Sequence, residues 1–117
     1  MSIGTQIIID VYDCNVTCLE SEAILKQIIE NISSKLNATV LEILVHHFSP
    51  IGISCIAQIS TSHIAIHTWP ELRFAAIDIF SCSSIPRNHE LQLIIVSLLD
   101  AKQMEIKRIK RGKFLHS

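Results

Sequence analysis

Residues 60–71 read STSHIAIHTWPE. From Ser62 to Thr68 the side chains alternate with the period of two that marks a strand with one face in a core. Ser62, Ile64 and Ile66 fall on one face, and His63, Ala65 and His67 on the other. Core strands are normally built from Val, Ile and Phe, because burying an unpaired polar group costs about 2–7 kcal/mol. Gathering Ser62, His63, His67 and Thr68 into one such strand therefore points to chemistry. Trp69-Pro70 ends the strand, since proline has no N–H for the ladder.

Outward from this segment the chain reads as alternating short elements. Ile7–Tyr12 is β-branched and predicts a first strand. Thr17-x-x-Glu20 has the form of a capping box opening a helix. Leu25, Ile28, Ile29, Ile32 and Leu36 then form one apolar stripe, with Asn37 as its stop. Residues 39–45 predict a second strand, and Pro50-Ile51-Gly52 a turn after His46, His47, Phe48 and Ser49. Residues 53–60 predict a third strand running almost unbroken into the fourth, and residues 74–82 a fifth. After Pro86, Leu91, Ile94, Ile95 and Leu98 repeat the helical spacing, and residues 104–109 close with a last strand. The order β-α-β-β-β-β-α-β implies an α+β two-layer sandwich, a mostly antiparallel sheet with two helices on one face. The opposite face must be solvated or pack on a second subunit.

The chain has 117 residues, fitting a single domain, and is 49% hydrophobic with 18% charged residues, which implies a folded core. A net charge of −1 gives no general attraction for nucleic acid or membrane. Six of the ten basic residues, Lys102, Lys107, Arg108, Lys110, Arg111 and Lys113, lie near the end, where they read as a solvated face that blocks edge-to-edge association. The N-terminus carries no basic region and no cleavage site of small residues, so a cytoplasmic location is expected. Cys14, Cys18 and Cys55 read as small buried hydrophobes in a chain that needs no disulfide.

Several chemistries are excluded by spacing. His63 and His67 lie on one strand face about 13 Å apart at about 3.3 Å per residue, too far to share a metal ion. Neutral histidines bonded to backbone in the core are the plainer reading of either one. A serine hydrolase built on Ser62 lacks the Gly-x-Ser-x-Gly elbow. The three glycines, Gly4, Gly52 and Gly112, form no phosphate-binding loop.

Three runs taken together, FSPIGIS (48–54), TSHIAIHTWPE (61–71) and AAIDIFSC (75–82), resemble the short bacterial and archaeal type of S-adenosylmethionine decarboxylase. The resemblance is collinear from IIIDVYDC (7–14) to Arg111-Gly112. It implies a proenzyme that cuts itself at Thr61–Ser62 into chains 1–61 and 62–117. Ser62 Oγ attacks the Thr61 carbonyl, an N→O acyl shift gives an ester, and β-elimination followed by loss of ammonia leaves a pyruvoyl group at position 62. That group is the cofactor, and forms a Schiff base with the substrate amine.

By the same resemblance His67 serves as the proton acceptor in processing and Ser54 assists it. Cys82 is the proton donor in decarboxylation, with Phe48, Trp69 and Glu71 binding the substrate. Aromatic faces suit the adenine and the sulfonium cation, and a carboxylate accepts both ribose hydroxyls. The implied substrate is S-adenosylmethionine, whose decarboxylated form donates aminopropyl groups for spermidine synthesis. The implied assembly is a homodimer with its pockets at the interface.

One position departs from the pattern. Thr61 stands where the family commonly carries glutamate, which removes a counter-charge near the substrate's amino end. Two other readings follow: a pyruvoyl-dependent arginine or ornithine decarboxylase, and an unprocessed, non-catalytic binding subunit. Phe48, Trp69 and Glu71 go against the first, and the joint presence of Ser54, Ser62, His67 and Cys82 against the second.

Overall fold

The computed structural model describes residues 3–115. Its elements are β1 (Gly4–Tyr12), α1 (Val16–Leu19), α2 (Glu22–Lys35), β2 (Val40–His47), β3 (Ile53–Ile59), β4 (Ser62–Trp69), a 3-10 turn (Pro70–Leu72), β5 (Phe74–Ser81), α3 (Asn88–Leu99) and β6 (Gln103–Arg111). The six strands form one sheet in the order β2-β3-β4-β5-β1-β6. Every neighbouring pair is antiparallel, so the sheet is wholly rather than mostly antiparallel.

The alternation anticipated for β4 is present. Ile64 and Ile66 are fully buried beneath the helices together with Ile77 and Ile79 of the adjacent β5 and Ile7 and Ile9 of β1 beyond it. From α2, Leu25, Ile28, Ile29 and Ile32 are fully buried, and from α3, Ile95 and Leu99. Each fully buried aliphatic of this size contributes about 1.5–3 kcal/mol of hydrophobic stabilisation. Asn37 takes φ +55° just past the Leu36 cap, the left-handed stop that its side chain tolerates. No helix among the described residues is long and apolar enough to cross a membrane.

The helical layer differs from expectation at its start. A four-residue helix, α1, precedes α2, and Thr17 and Glu20 do not form a capping box. Asn15 caps α1 by accepting from the Cys18 amide, and Ser21 caps α2 by accepting from the Ile24 amide. Glu20 is released for another partner, described below. The six basic residues fall on and around β6, an outer strand, as anticipated.

The second sheet face carries no helix. It presents Leu44 and His46 from β2, Ser54 and Ile56 from β3, and His63, Ala65, His67 and Trp69 from β4. Phe74, Ala76, Asp78 and Phe80 of β5 continue it, followed by Ile8 and Tyr12 of β1. Neither His63 nor His67 is a core histidine. Their face of β4 is the open one, where His63 is exposed and His67 half-buried, while the helix-covered face carries the buried Ile64, Ile66 and Thr68.

Candidate active site

The residues singled out in the sequence lie in two groups at opposite ends of β4, and Ser62, at the hairpin end, starts on the helix-covered side of the strand beside its pairing partner Ser81. The first surrounds the Thr61–Ser62 bond. β3 and β4 form a hairpin in which Ile59 pairs with Ser62, leaving Ser60 and Thr61 as a two-residue turn. Ser62 takes φ +154°, a conformation that residues with a Cβ rarely adopt. Such backbone strain costs on the order of 1–3 kcal/mol and persists only where the surroundings enforce it.

The surroundings here are the end of β5. The Cys82 amide donates to the Thr61 carbonyl oxygen at 3.2 Å. The Ser81 hydroxyl donates to Thr61 Oγ1 at 2.9 Å. Ser62, His63, Phe80 and Cys82 line one open cleft. His63 packs against Phe80 with ring centroids 6.0 Å apart, and the Arg111 guanidinium lies over the Phe80 ring, 5.6 Å from its centroid.

Cys82 is exposed, unlike the other three cysteines. Burial pushes the Cys14 thiol up to about 11 and also raises those of Cys18 and Cys55, which keeps them neutral and unreactive. The reactive-residue reading therefore falls on Cys82 alone.

The second group lies at the far end of β4. His67 Nδ1 and Ser54 Oγ are hydrogen-bonded at 2.7 Å across directly paired positions of β4 and β3. Phe48, Trp69 and Glu71 line the same cleft as this pair. Phe48 is 51% exposed and Trp69 41%, so both aromatic faces are available to a ligand. Trp69 leans on Phe74 at 5.6 Å, and the His46 ring meets Phe48 edge-on at 4.5 Å. Glu71 sits in the 3-10 turn, which Arg73 ties down by donating from Nε to the Cys14 carbonyl at 3.1 Å.

The loop carrying Phe48 is held by Glu20, whose carboxylate accepts from the Gly52 amide at 2.7 Å. Gly52 has φ +108°, and a Cβ there would stand 3.3 Å from the Thr68 carbonyl oxygen, so glycine is required. A Glu20→Ala change removes a charge-assisted hydrogen bond that contributes about 1.5–3 kcal/mol. The expected result is a several-fold rise in KM with kcat largely kept, and Glu20→Gln, which retains an acceptor oxygen, restores most of the affinity. Steady-state kinetics of both variants check this. Sequence reading missed Glu20 because the same four residues fit a capping box.

Within one chain the two groups do not meet. Ser62 and His67 are five residues apart on a continuous strand, about 16 Å at about 3.3 Å per residue.

Residues 5–112 match the family model described as S-adenosylmethionine decarboxylase. The chain belongs to the S-adenosylmethionine decarboxylase family. Among relatives of that family, the S-adenosylmethionine decarboxylase proenzyme of Thermodesulfovibrio yellowstonii is 35% identical over 98% of this chain and 85% of its own length. The proenzyme of Clostridium kluyveri is 37% identical over 96% of this chain and 89% of its own. An archaeal one, from Methanococcus aeolicus, is 34% identical over 97% of each. The crystal structure of the adenosylmethionine decarboxylase from Aquifex aeolicus shares the fold, with a TM-score of 0.77, 23% identity, and coverage of 95% of this chain and 92% of that one. Membership of the S-adenosylmethionine decarboxylase family agrees with the resemblance read from the three sequence runs. The fold shared with the Aquifex aeolicus structure agrees with the α+β architecture read from the order of the elements.

Proposed function

We propose that this chain is a self-processing, pyruvoyl-dependent decarboxylase of S-adenosylmethionine, cut at Thr61–Ser62 and active as a homodimer. The observation that carries the reading is the environment of that bond. A strained serine follows the bond, and its carbonyl oxygen already accepts from the Cys82 amide. A donor so placed suits the oxyanion that forms when Ser62 Oγ attacks the Thr61 carbonyl carbon. The attack transfers the acyl group from nitrogen to oxygen. β-Elimination then frees the Thr61 carboxylate, and hydrolysis with loss of ammonia leaves the pyruvoyl group at residue 62.

The residues around position 62 fit that group. Cys82 lines the same cleft with an exposed thiol. The ketone supplies an electron sink for the electrons of the departing carboxylate. Cys82 Sγ–H then delivers a proton to the substrate α-carbon. Phe48 and Trp69 hold the adenine and sulfonium by stacking and cation–π attraction, and Glu71 accepts the ribose hydroxyls. The product is decarboxylated S-adenosylmethionine, an aminopropyl donor for spermidine synthesis.

In this reading His67 and Ser54 act in processing on the partner's bond, which the separation of about 16 Å along β4 supports. Two open faces packed about 10 Å apart, related by a two-fold axis crossing β4 near Ala65, set each Ser62 opposite the partner's end of β4 that carries His67. Ala65 is 8% exposed and lacks bulk, which suits a close crossing there. Isologous pairing would also cover the apolar side chains of Leu44, Ile56, Phe74 and Phe80.

The test is complementation. A Ser62→Ala chain lacks the nucleophile and a His67→Ala chain lacks the base. Each alone is expected to stay uncleaved. Co-expressed, half the dimers are mixed, and each mixed dimer has one complete site, so carbon dioxide release from carboxyl-labelled S-adenosylmethionine recovers to about a quarter of wild type. The recovered cleavage falls on the His67→Ala chain, as read by intact mass. Absence of recovery while both chains form dimers overturns the shared site. Wild-type protein that stays uncut, or cuts without releasing labelled carbon dioxide, overturns the function.

A further inference from the structure

Ser81 is fully buried, yet it lies at the end of β5 beside an exposed turn. Its hydroxyl donates to Thr61 Oγ1 at 2.9 Å and accepts from the Ser83 amide at 3.2 Å. Ser83 Oγ lies 2.8 Å from Ser81 Oγ and 3.2 Å from the Leu36 carbonyl oxygen, to which it can donate at the C-terminal cap of α2. Ser83, bonded to Leu36 through its hydroxyl and to Ser81 through its amide, thus links the helical layer to the turn at position 61. Thr61 is held twice from consecutive residues, by its side chain through Ser81 and by its carbonyl through the Cys82 amide.

The central residues of a two-residue hairpin turn are ordinarily the freest part of the hairpin. Here the side chain of Thr61 is tied to a buried group, and β-branching narrows its χ1 further. With the side chain fixed, the carbonyl of the same residue has little freedom to rotate off the Cys82 amide. We propose that Ser81, its rotamer set by Ser83, is a positioning residue for self-cleavage. It orients the Thr61 carbonyl for attack by Ser62 through the Thr61 hydroxyl. This proposal rests on cleavage at Thr61–Ser62. It gives Thr61 a role that a carboxylate side chain would not fill in the same way, since the acceptor here is a short hydroxyl held at the turn.

The measurement is the first-order rate of cleavage of freshly produced full-length chain, followed by intact mass. Ser81→Ala and Thr61→Val each remove one end of the same neutral hydrogen bond, and each is expected to slow cleavage about tenfold. The double variant should be no slower than either single one, because both remove the same contact to Thr61, the one through which Ser81 acts on the bond. Thr61→Ser, which keeps the hydroxyl, should cleave at close to the wild-type rate. Thermal midpoints compared in the uncleavable Ser62→Ala background separate a folding defect from a cleavage defect. If Ser81→Ala does not fold, the Thr61→Val and Thr61→Ser pair, at a half-exposed turn, carries the test. Wild-type rates in the single variants overturn the proposal and leave the cleavage reading intact, and so do slowdowns that multiply in the double variant. A wild-type chain that never cuts at this bond removes both.

Discussion

A Ser62→Ala chain stays in one piece, with no fragments ending at residue 61 or beginning at 62, and releases no carbon dioxide from S-adenosylmethionine. The change deletes one oxygen, and no neighbouring group stands in for it. Ser60 is nearest in sequence, but its Oγ accepts from the Thr39 amide at 2.9 Å, on the side of the turn towards β2. Cys82 Sγ shares the cleft, and its own backbone amide is bonded to the oxygen of the carbonyl in question. The loss is total because the same atom is both nucleophile in processing and precursor of the carbonyl group used in turnover. Intact mass after prolonged incubation is the measurement. Continued cleavage at this bond would sink the assignment of the nucleophile, and cleavage elsewhere would sink the assignment of the bond.

Cys82→Ala separates processing from turnover. The variant is expected to cut itself, because the contact to the Thr61 oxygen comes from the main-chain amide, which alanine retains. Its kcat on S-adenosylmethionine should then fall by about 10²–10⁴, the range for removal of a positioned proton donor. Cleavage by mass and carbon dioxide release, measured on one preparation, give the two quantities together. If turnover per cut chain is unchanged, Cys82 is not the donor. If cutting stops as well, the side chain has a role in processing that the backbone contact does not supply. Because Cys82 is exposed and lies outside the buried core cluster, a fall in kcat is not confounded by a lost core interaction.

Which faces the strands bury was legible from alternation, because a period of two carries face information directly. The apolar stripes of α2 and α3 were legible for the same reason with a period of 3.6. Helix α1 was not, since four residues make one turn and carry no periodicity. Its presence moved the caps to Asn15 and Ser21 and left Glu20 to clamp the Gly52 amide. The insertion of β1 between β5 and β6 depends on pairing between residues 64 to 107 apart in sequence, which no local pattern encodes. The candidate site residues came from three runs of sequence, yet their division into two groups was not drawn from them. The arithmetic that keeps His63 and His67 from sharing a metal also separates Ser62 from His67. Ser81 gave no signal, because a serine closing a strand looks like any strand end until its partner is known.

The strand order has a consequence for what a cut at residue 61 leaves behind. β1 belongs to the first fragment, but it lies between β5 and β6 of the second, paired with both along most of its length. β3 of the first fragment is paired with β4 of the second. The two pieces are therefore interleaved like the fingers of clasped hands, with three ladders crossing the seam. The cut itself falls at a hairpin tip, where the chain doubles back. Neither fragment can leave without tearing the sheet, and neither has a complete core alone. Native size should be the same before and after cutting, and the fragments should part only in denaturant. Covalent continuity at this point is dispensable to the fold, which leaves the chain free to spend that bond on making a reactive group.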